Sequence, residues 1–600
     1  MYHHLRIALV LLSALIAFPV SAAVPVGVNL AALGDWDIVL AKDASPSEVY
    51  AAEEFQRYFA QASGINLSIA RKSSGHHHIF IGSSPAMRAS DVGFSTEEFG
   101  EEDFRIIVRN NNIAIAGGRP RGTLYGVYTF LEDYMGVRFL TIDHTYVPKI
   151  GLWKTVEPVD RFYHPPLRFR WSYYGENNNN PVFATRIRVN TVATDGKLGG
   201  KTGLNLINHS FYHHLSVNKY GKEHPEYFAL VDGKRKLEVH GGGPELCLTN
   251  PDVLRIVTES VLNDLRKDPN LKNISVSQND NDKYCKCPQC AAIDKREGTP
   301  MGSLLIFVNA VADEVAKEFP DVIVGTLSYW YTRKPPKTVR PRPNVQIQLC
   351  SIECCVLHPI DDPKCKKNKQ FCNDLANWSK LCDNISIWNY NVNFSNYLLP
   401  CPNLRVIESN IRYFTANNAM GIFMQAAGNT QGSEMSDLRN YIIANLLWNP
   451  SLSGQKLMDE FLDLHYGRAA EPIRRFINLT HDNALASGLH PNCFGKAKDY
   501  AINKSIAQVG LDAFAEAIKL AENDIIRSRV EKASICAYRA AIEPIWYVDD
   551  KSSVDPAVVE KMKPLVKKFL ELCKKHNVAR ISEGTPVESK GQDLKQLVGL

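Results

Sequence analysis

Short apolar runs recur at regular intervals between Pro165 and Pro450, and this rhythm constrains the fold more than any other feature of the chain. Strand-like runs that alternate with helical stretches are typical of parallel sheets in which each helix crosses back over the sheet. The runs are LRFRWSYY, GLNLINHSF, NISVSQND, VIVGTLSYWY, NVQIQLCSIE, ISIWNYNV and GIFMQAAG. We therefore predict an α/β fold in which residues 165–450 form a (β/α)8-type TIM barrel.

Two further regions flank the predicted barrel. Residues 24–150 alternate between amphipathic helix and short strand, which indicates a small α/β domain whose first helix has Ser45 or Ser47 as its N-cap. Residues 451–600 carry apolar residues at helical spacing and predict a helical region, with a polar and loosely ordered end from Ser582. A chain of 600 residues has room for these separate cores.

The first residues have the pattern of a signal peptide. Residues 1–23 combine a short basic start, an apolar run and a small-residue ending. No later stretch reaches the roughly 20 apolar residues that a membrane-spanning helix needs. We therefore expect export to the periplasm, the cell surface or the medium, with no transmembrane segment.

The composition directs attention to the strand ends. A net charge of +5 over 600 residues is small, so nothing indicates a nucleic-acid partner. The carboxyl ends of barrel strands share one pocket, and here they would carry aromatic, amide and carboxylate side chains. Sugars stack on aromatic rings and exchange hydrogen bonds with amides and carboxylates, so a glycan or glycoprotein substrate is expected and no cofactor is needed.

Glycoside hydrolysis uses two acidic groups, and Asp280 and Glu353 are the best placed carboxylates. Each follows a predicted inner strand. For Asp280, in the polar run QNDND, a helix-capping role is equally open. Glu353 lies between an apolar strand and Cys354, where an unneeded charge is costly to bury, which favours a functional role.

The motif C-x-C-x-x-C at Cys285, Cys287 and Cys290 follows Asp280 closely. Zinc would need a fourth ligand, and no second C-x-x-C supplies one. Disulfides to Cys247, Cys354 or Cys355 are as compatible with the sequence as a metal. In both cases the cysteines would brace the loop that presents Asp280. A cysteine nucleophile at Cys354 or Cys355 has no helper base in sequence beyond His358.

Several long motifs make the chain resemble a known family. HPEYFALVDGKRK, LCLTNPDV, ISVSQNDNDKYCKCPQC, YWYTRKPPK, CSIECCVLHPI and LLWNP, between Pro165 and Tyr466, resemble glycoside hydrolase family 163. GGRPRGTLYGVYTFLEDYMGVRF resembles the domain that precedes the barrel in family 20 hexosaminidases and α-glucuronidases. The first resemblance implies endo-β-N-acetylglucosaminidase action on N-glycans.

That resemblance also implies roles for individual residues. In substrate-assisted retaining catalysis, Glu353 would be the general acid and Asp280 would orient the substrate acetamide, or the two roles would be exchanged. The carboxyl ends of the strands form the rim of the predicted pocket. The expected sugar contacts on this rim are Asn279, Trp330, Tyr331, Tyr390, Asn389 and His209. The family more often has Asp at Asn389 and Glu at Met424, which leaves open another glycan substrate or a glycan-binding protein without turnover. The domain order leaves open a different glycosidase, α-glucuronidase-like or exo-hexosaminidase.

Overall fold

The computed structural model describes residues 26–72, 77–151, 154–239 and 242–600. The predicted signal peptide, residues 1–23, lies outside the described residues. Two six-stranded sheets organise the chain, one near the N-terminus and one in the middle, and helices cover both. None of the helices in the described ranges combines the length and the apolarity needed to cross a bilayer.

The N-terminal sheet is mixed, with the spatial order β6-β4-β5-β3-β1-β2. Its strands are β1 (Asp37–Val39), β2 (Ser68–Ala70), β3 (His78–Ile81), β4 (Phe104–Arg109), β5 (Asn112–Gly117) and β6 (Val159–Tyr163). Strand β6 pairs antiparallel with β4. The sheet therefore recruits chain beyond residue 150, where the sequence placed the end of this domain.

Helix α1 (Pro46–Ser63) begins where the sequence indicates. The Ser45 side chain accepts from the Glu48 N–H while the Glu48 carboxylate accepts from the Ser45 N–H, a capping box with proline in the first turn. The helix ends at Gly64, whose φ of +79° suits glycine. It packs against α2 (Gly122–Asp133) over the sheet.

The central sheet is parallel throughout, with the order β7-β12-β11-β10-β9-β8. Its strands are β7 (Phe169–Tyr173), β8 (Asn273–Ser275), β9 (Ile323–Ser328), β10 (Val345–Cys350), β11 (Ile385–Tyr390) and β12 (Ala419–Gln425). The first strand in sequence pairs with the last, so the sheet curls as the strands of a TIM-like fold do. Closure by eight strands is not seen among the described residues.

One predicted strand, between β7 and β8 in the chain, is not formed. The run GLNLINHSF, residues 203–211, lies alongside β8 but is not a strand, because side chains replace part of the backbone ladder. Lys272 N–H donates to Gly203 O, whereas the next contacts are Asn205 N–H to Asn273 Oδ1 and Asn208 N–H to Ser275 Oγ. Asparagine side chains compete in this way with regular strand pairing.

Alternate residues of the central strands face the helices or the concave side of the sheet, with the period of two expected for strands. On β10, Ile347 packs in the core under the helices, whereas Gln346 on the concave side donates to Ser386 Oγ. A Cβ at Gly325 of β9 would lie 2.2 Å from Ile207 Cδ1, so Ile207 fills the space inside the curl.

The remaining helices surround the sheet and form the C-terminal region. They are α3 (Pro251–Lys267), α4 (Pro288–Glu297), α5 (Met301–Glu318), α6 (Lys366–Trp378), α7 (Ile407–Ala416), α8 (Ser436–Trp448), α9 (Gly454–Tyr466), α10 (Ala470–Ala486), α11 (Lys504–Leu520), α12 (Asp524–Ala541), α13 (Pro556–Lys575) and α14 (Val587–Val598). Short strands are Val28–Asn29, Arg138–Thr141, His144–Tyr146, Thr155–Val156, Leu230–Val231 and Lys234–Arg235, and short helices are Pro85–Ala89, Gly175–Asn178, Pro181–Arg186, Phe211–His214, Val217–Tyr220 and Glu543–Trp546.

Helix α14 overturns the expectation of a loosely ordered end. Leu594, Leu597 and Val598 are buried against α13, so three apolar residues at helical spacing anchor an otherwise polar segment.

Candidate active site

Asp280 lies just beyond β8, on the concave side of the sheet. Its carboxylate accepts a hydrogen bond from the Tyr329 hydroxyl at 3.0 Å, and His209 Nε2 lies 3.6 Å from the same oxygen. His209 Nδ1 is 2.7 Å from the carbonyl oxygen of Gln278. Because a carbonyl only accepts, Nδ1 carries the proton. The Asp280 side chain is 55% exposed, so solvent and ligands reach it.

Glu353 follows β10 and has a different environment. Arg333 Nη1 donates to Glu353 Oε2 at 2.8 Å, and Arg333 Nε donates to Asp374 Oδ2 at 2.8 Å. The guanidinium is buried, whereas the Glu353 side chain is 38% exposed. One buried cation therefore fixes a partly exposed carboxylate at the mouth of the sheet.

The two carboxylates act on the same neighbours. Burial raises the pKa of Tyr329, and the charges of Asp280 and Glu353 raise it further. Burial also raises the pKa of the Cys350 thiol, again with contributions from both carboxylates. Tyr329 follows β9 and Cys350 ends the adjacent strand β10, so both predicted acids act on groups at neighbouring strand ends.

Trp330 and Tyr331 stand beside Glu353 in a cleft of about 270 Å³. Trp330 is 46% exposed and has a φ of +54°, a left-handed conformation that a bulky residue rarely adopts. Such strain occurs preferentially at functional sites. Tyr331 stacks on Tyr284 at 4.8 Å and is only partly accessible.

A larger cleft of about 590 Å³ opens where the sheet does not close. Its aromatic residues are Trp171, Tyr173, Trp388 and Phe423. Glu583, which follows α13, is the carboxylate in its lining, and burial together with the charge of Glu583 raises the pKa of Tyr173. The sequence placed Glu583 in a loosely ordered end, and no motif marked it as part of a cleft.

Three predicted sugar contacts are not free to serve as such. Asn279 is buried, with Oδ1 accepting from the Tyr212 N–H and Nδ2 donating to Pro244 O, so both ends of its amide hold the loop. Asn389 faces the helices, where its amide accepts from the Ser351 hydroxyl. Tyr390 shares the concave face with Trp388 but is 8% exposed.

The two departures from the expected family pattern touch each other. Asn389 Nδ2 lies 3.7 Å from Met424 Sδ, and both side chains are buried on the side of the sheet that faces the helices. These substitutions therefore lie behind the rim. They leave the hydrogen bonds of Asp280 and Glu353 unchanged.

Glu245 is a buried carboxyl that sequence reasoning missed. The Asn279 N–H and the Tyr331 hydroxyl hydrogen-bond to it, yet burial holds the pKa of Glu245 well above its usual value. Within the part of the chain that the structure describes, Glu245 Oε1 and Gln278 Oε1 lack hydrogen-bond partners. Both residues line an internal cavity of about 10 Å³, the size of one water molecule.

All 14 cysteines, every one within the described ranges, are unbridged, so the expected disulfides to Cys247, Cys354 or Cys355 are not formed. Burial raises the pKa of the Cys354 thiol well above its usual value, which disfavours a nucleophilic thiolate. Two clusters of four residues stand out instead: Cys247, Cys285, Cys287 and Cys290, and Cys355, His358, Cys365 and His490.

This fold and this rim define a class of mixed α/β proteins in which a curled parallel sheet presents carboxylates and aromatic rings at its strand ends. The chain belongs to the family described as domain of unknown function DUF4838, whose model matches residues 139–478. Residues 35–130 match the model of the glycosyl hydrolase family 67 N-terminus. Among curated proteins, none is significantly similar in sequence.

Three solved structures of glycoside hydrolases match this chain with low sequence identity. A family GH115 4-O-methyl-α-glucuronidase with specificity for decorated arabinogalactans matches with a TM-score of 0.53 and 10% identity, over 91% of this chain and 76% of that chain. A family GH84 structure matches with a TM-score of 0.45 and 12% identity, over 94% and 96%. A GH138 enzyme targeting pectin rhamnogalacturonan II gives 0.42 and 10%, over 94% and 98%. At such identities the likeness to the first structure concerns the fold.

Proposed function

We propose that this protein is a glycoside hydrolase with Asp280 and Glu353 as its catalytic carboxylates. The observation that carries the proposal is that both carboxylates follow strands of the curled sheet and act on Tyr329, with the exposed ring of Trp330 beside Glu353. Glycoside hydrolysis needs two such groups near one sugar ring. The family 67 N-terminal match and the fold shared with the GH115 enzyme support this class.

The hydrogen bonds favour one assignment of the two roles. Glu353 accepts from a guanidinium, which stabilises a lasting negative charge and suits a group that stabilises developing positive charge. Asp280 accepts from a neutral hydroxyl instead of a cation, and we assign it the role of proton donor. This is the exchanged form of the assignment that the sequence first favoured, in which Glu353 was the acid.

His209 is a positioning residue for Asp280 in this scheme. Its Nδ1–H is fixed on the Gln278 carbonyl, which directs Nε2 at the Asp280 carboxylate. The Nε2 lone pair, 3.6 Å from the carboxylate oxygen, can accept a hydrogen bond from the protonated Asp280 and so orient the acid.

For the substrate, we propose a β-linked N-acetylglucosamine within an N-glycan, as the resemblance to family 163 implies. The substrate acetamide oxygen would attack the anomeric carbon as Asp280 protonates the departing oxygen, and Glu353 would stabilise the resulting oxazolinium. The ring of Trp330 would stack on the sugar face. Water would then attack the anomeric carbon of the oxazolinium and give a proton to Asp280, so that glycan and water yield two shorter saccharides and the enzyme is regenerated.

A second candidate, an α-glucuronidase-like activity, has its own observation. The cleft beside Glu353 is lined by Arg333, Lys334 and Lys367, a cationic set that fits the carboxylate of an acidic sugar. The GH115 enzyme that shares the fold is a 4-O-methyl-α-glucuronidase, which acts on such a sugar.

The test uses the purified full-length protein. We expect it to release glycans from a complex N-glycoprotein, detected by mass spectrometry, and expect Asp280→Asn and Glu353→Gln each to slow the release strongly. Asp313→Asn is the matched control, since Asp313 is an exposed partner of Arg342 far from the rim in the helical layer. A parallel arm offers glucuronoxylan.

Release of uronic acid alone would replace the first substrate class with the second. Glycan binding without release from any substrate would contradict the enzyme and leave a glycan-binding protein.

A further inference from the structure

We propose that Cys247, Cys285, Cys287 and Cys290 form a structural zinc site, independently of the proposed activity. Their four sulfur atoms all lie within 4.8 Å of one another. Cys247 Sγ and Cys287 Sγ are 3.8 Å apart, far beyond the ~2.05 Å of a disulfide. Two thiolates bound tetrahedrally at ~2.3 Å from one zinc ion stand about 3.8 Å apart, the spacing seen here.

The chain delivers the four ligands from two places. Cys285, Cys287 and Cys290 lie at the start of α4, where Cys287 is the N-cap and Cys290 sits in the first turn. Cys247 comes from the segment before α3 and supplies the fourth ligand, which the sequence spacing did not reveal. Closed four-cysteine sets of this kind hold zinc for structure, since no position is left open for a substrate.

The surroundings of the sulfurs suit thiolates. The Leu230 N–H donates to Cys285 Sγ at 3.3 Å, and the Thr249 hydroxyl lies 3.3 Å from Cys290 Sγ. The Arg235 side chain also hydrogen-bonds to Cys247. Such donors orient metal ligands and spread their negative charge. The cluster is buried, which protects it from exchange with solvent.

The zinc would fix the loop that carries Asp280. Cys285 follows Asp280 by five residues, and Lys286 N–H donates to Leu230 O, so the metal and this hydrogen bond would together anchor the C-terminal side of the loop. The zinc site would therefore help to position the Asp280 carboxylate without contacting the substrate.

A second cluster, Cys355, His358, Cys365 and His490, independently has the composition of a Cys2His2 zinc site. Cys355 Sγ lies 3.2 Å from His358 Nδ1, and Cys365 Sγ lies 3.2 Å from His490 Nδ1. Cys355 follows Glu353 by two residues, whereas His490 comes from the C-terminal helical region. A metal here would tie that region to the Glu353 loop.

Zinc analysis of the purified full-length protein tests both sites. We expect two zinc ions per chain. Cys247→Ser should lose one of them, whereas Cys573→Ser, a buried cysteine in α13 outside both clusters, should lose none. Unchanged zinc in Cys247→Ser, or wild-type protein without zinc, would overturn the four-cysteine site.

His490→Ala tests the second site at an exposed position, with the exposed His224→Ala as its control. Loss of one zinc in His490→Ala alone supports the site, and retention of both overturns it. If Cys247→Ser does not fold, X-ray absorption of the wild type decides for the first site. Sulfur ligands at about 2.3 Å in excess of nitrogen support it, and coordination by nitrogen and oxygen alone, or disulfides among the four cysteines in unreduced peptide maps, refute it.

Discussion

The Asp280 and Glu353 sides of the rim differ in the charge of their hydrogen-bond donors. Asp280 accepts from the neutral hydroxyl of Tyr329, whereas Glu353 accepts from the buried guanidinium of Arg333, which also binds Asp374. Two carboxylates in unlike environments take different roles in acid–base catalysis. Both acids follow strands of the same sheet. The hydrogen-bond donors of the two carboxylates, rather than their places in the fold, therefore distinguish the two proposed roles.

Loss of the negative charge of Glu353 should have the largest effect on kcat. Glu353→Gln keeps the shape of the side chain but removes the carboxylate that stabilises the transition state. We expect kcat to fall about 10³-fold, for the natural glycan and equally for an aryl glycoside with a good leaving group. Steady-state kinetics on both substrates measure this, with Asp313→Asn as control. Undiminished turnover of the aryl glycoside would show that Glu353 acts elsewhere than at the anomeric centre.

Loss of the proton donor should depend on the leaving group. Asp280→Asn should lower kcat about 10²-fold on the glycan, whose departing oxygen needs a proton. An aryl leaving group departs as a stable anion, so its hydrolysis should change far less. The ratio of the two rates measures the acid role directly. An equal loss on both substrates would return the acid role to Glu353 and reverse the proposed comparison.

A smaller effect is expected from the cation that fixes Glu353. Arg333→Lys preserves the charge but cannot offer the planar fork that reaches Glu353 and Asp374 together. We expect kcat to fall about 10-fold, the loss of one charge-assisted hydrogen bond, while KM changes little. Arg342→Lys, at an exposed pair with Asp313, provides the control. A rise in KM alone would instead indicate that Arg333 binds substrate.

Much of the fold follows from local pattern. The capping box at Ser45 fixes the start of α1, and apolar runs such as VIVGTLS become strands because both of their faces are buried. GLNLINHSF does not form a strand because the backbone N–H groups of Asn205 and Asn208 donate to side chains of β8 instead of to its backbone. Apolar periodicity does not reveal such contacts.

The site was predictable where it depended on strand ends. Asp280 and Glu353 follow β8 and β10, and parallel topology puts both strand ends at one edge of the sheet. The period of two along β11 could have corrected Asn389, because Trp388 and Tyr390 face the concave side and their neighbour must face the other. Cys247 and Glu583 reach their clusters from distant segments, and no spacing rule relates them to the rim.

The buried Glu245, beside Gln278 and Tyr331, should give the smallest effect, one on stability. Burial raises its pKa above the usual 4.5. Above pH 4.5 the unfolded chain therefore releases a proton that the folded chain retains, so this residue costs stability as the pH rises. Glu245→Gln removes that cost and should stabilise the protein by about 1 kcal/mol at neutral pH, with no gain below pH 4.5. Denaturant unfolding at pH 4 and pH 7 measures this, with the exposed Glu314→Gln as control. An equal gain in stability at pH 4 and pH 7 would mean that the gain comes from packing and not from the proton that buried Glu245 retains.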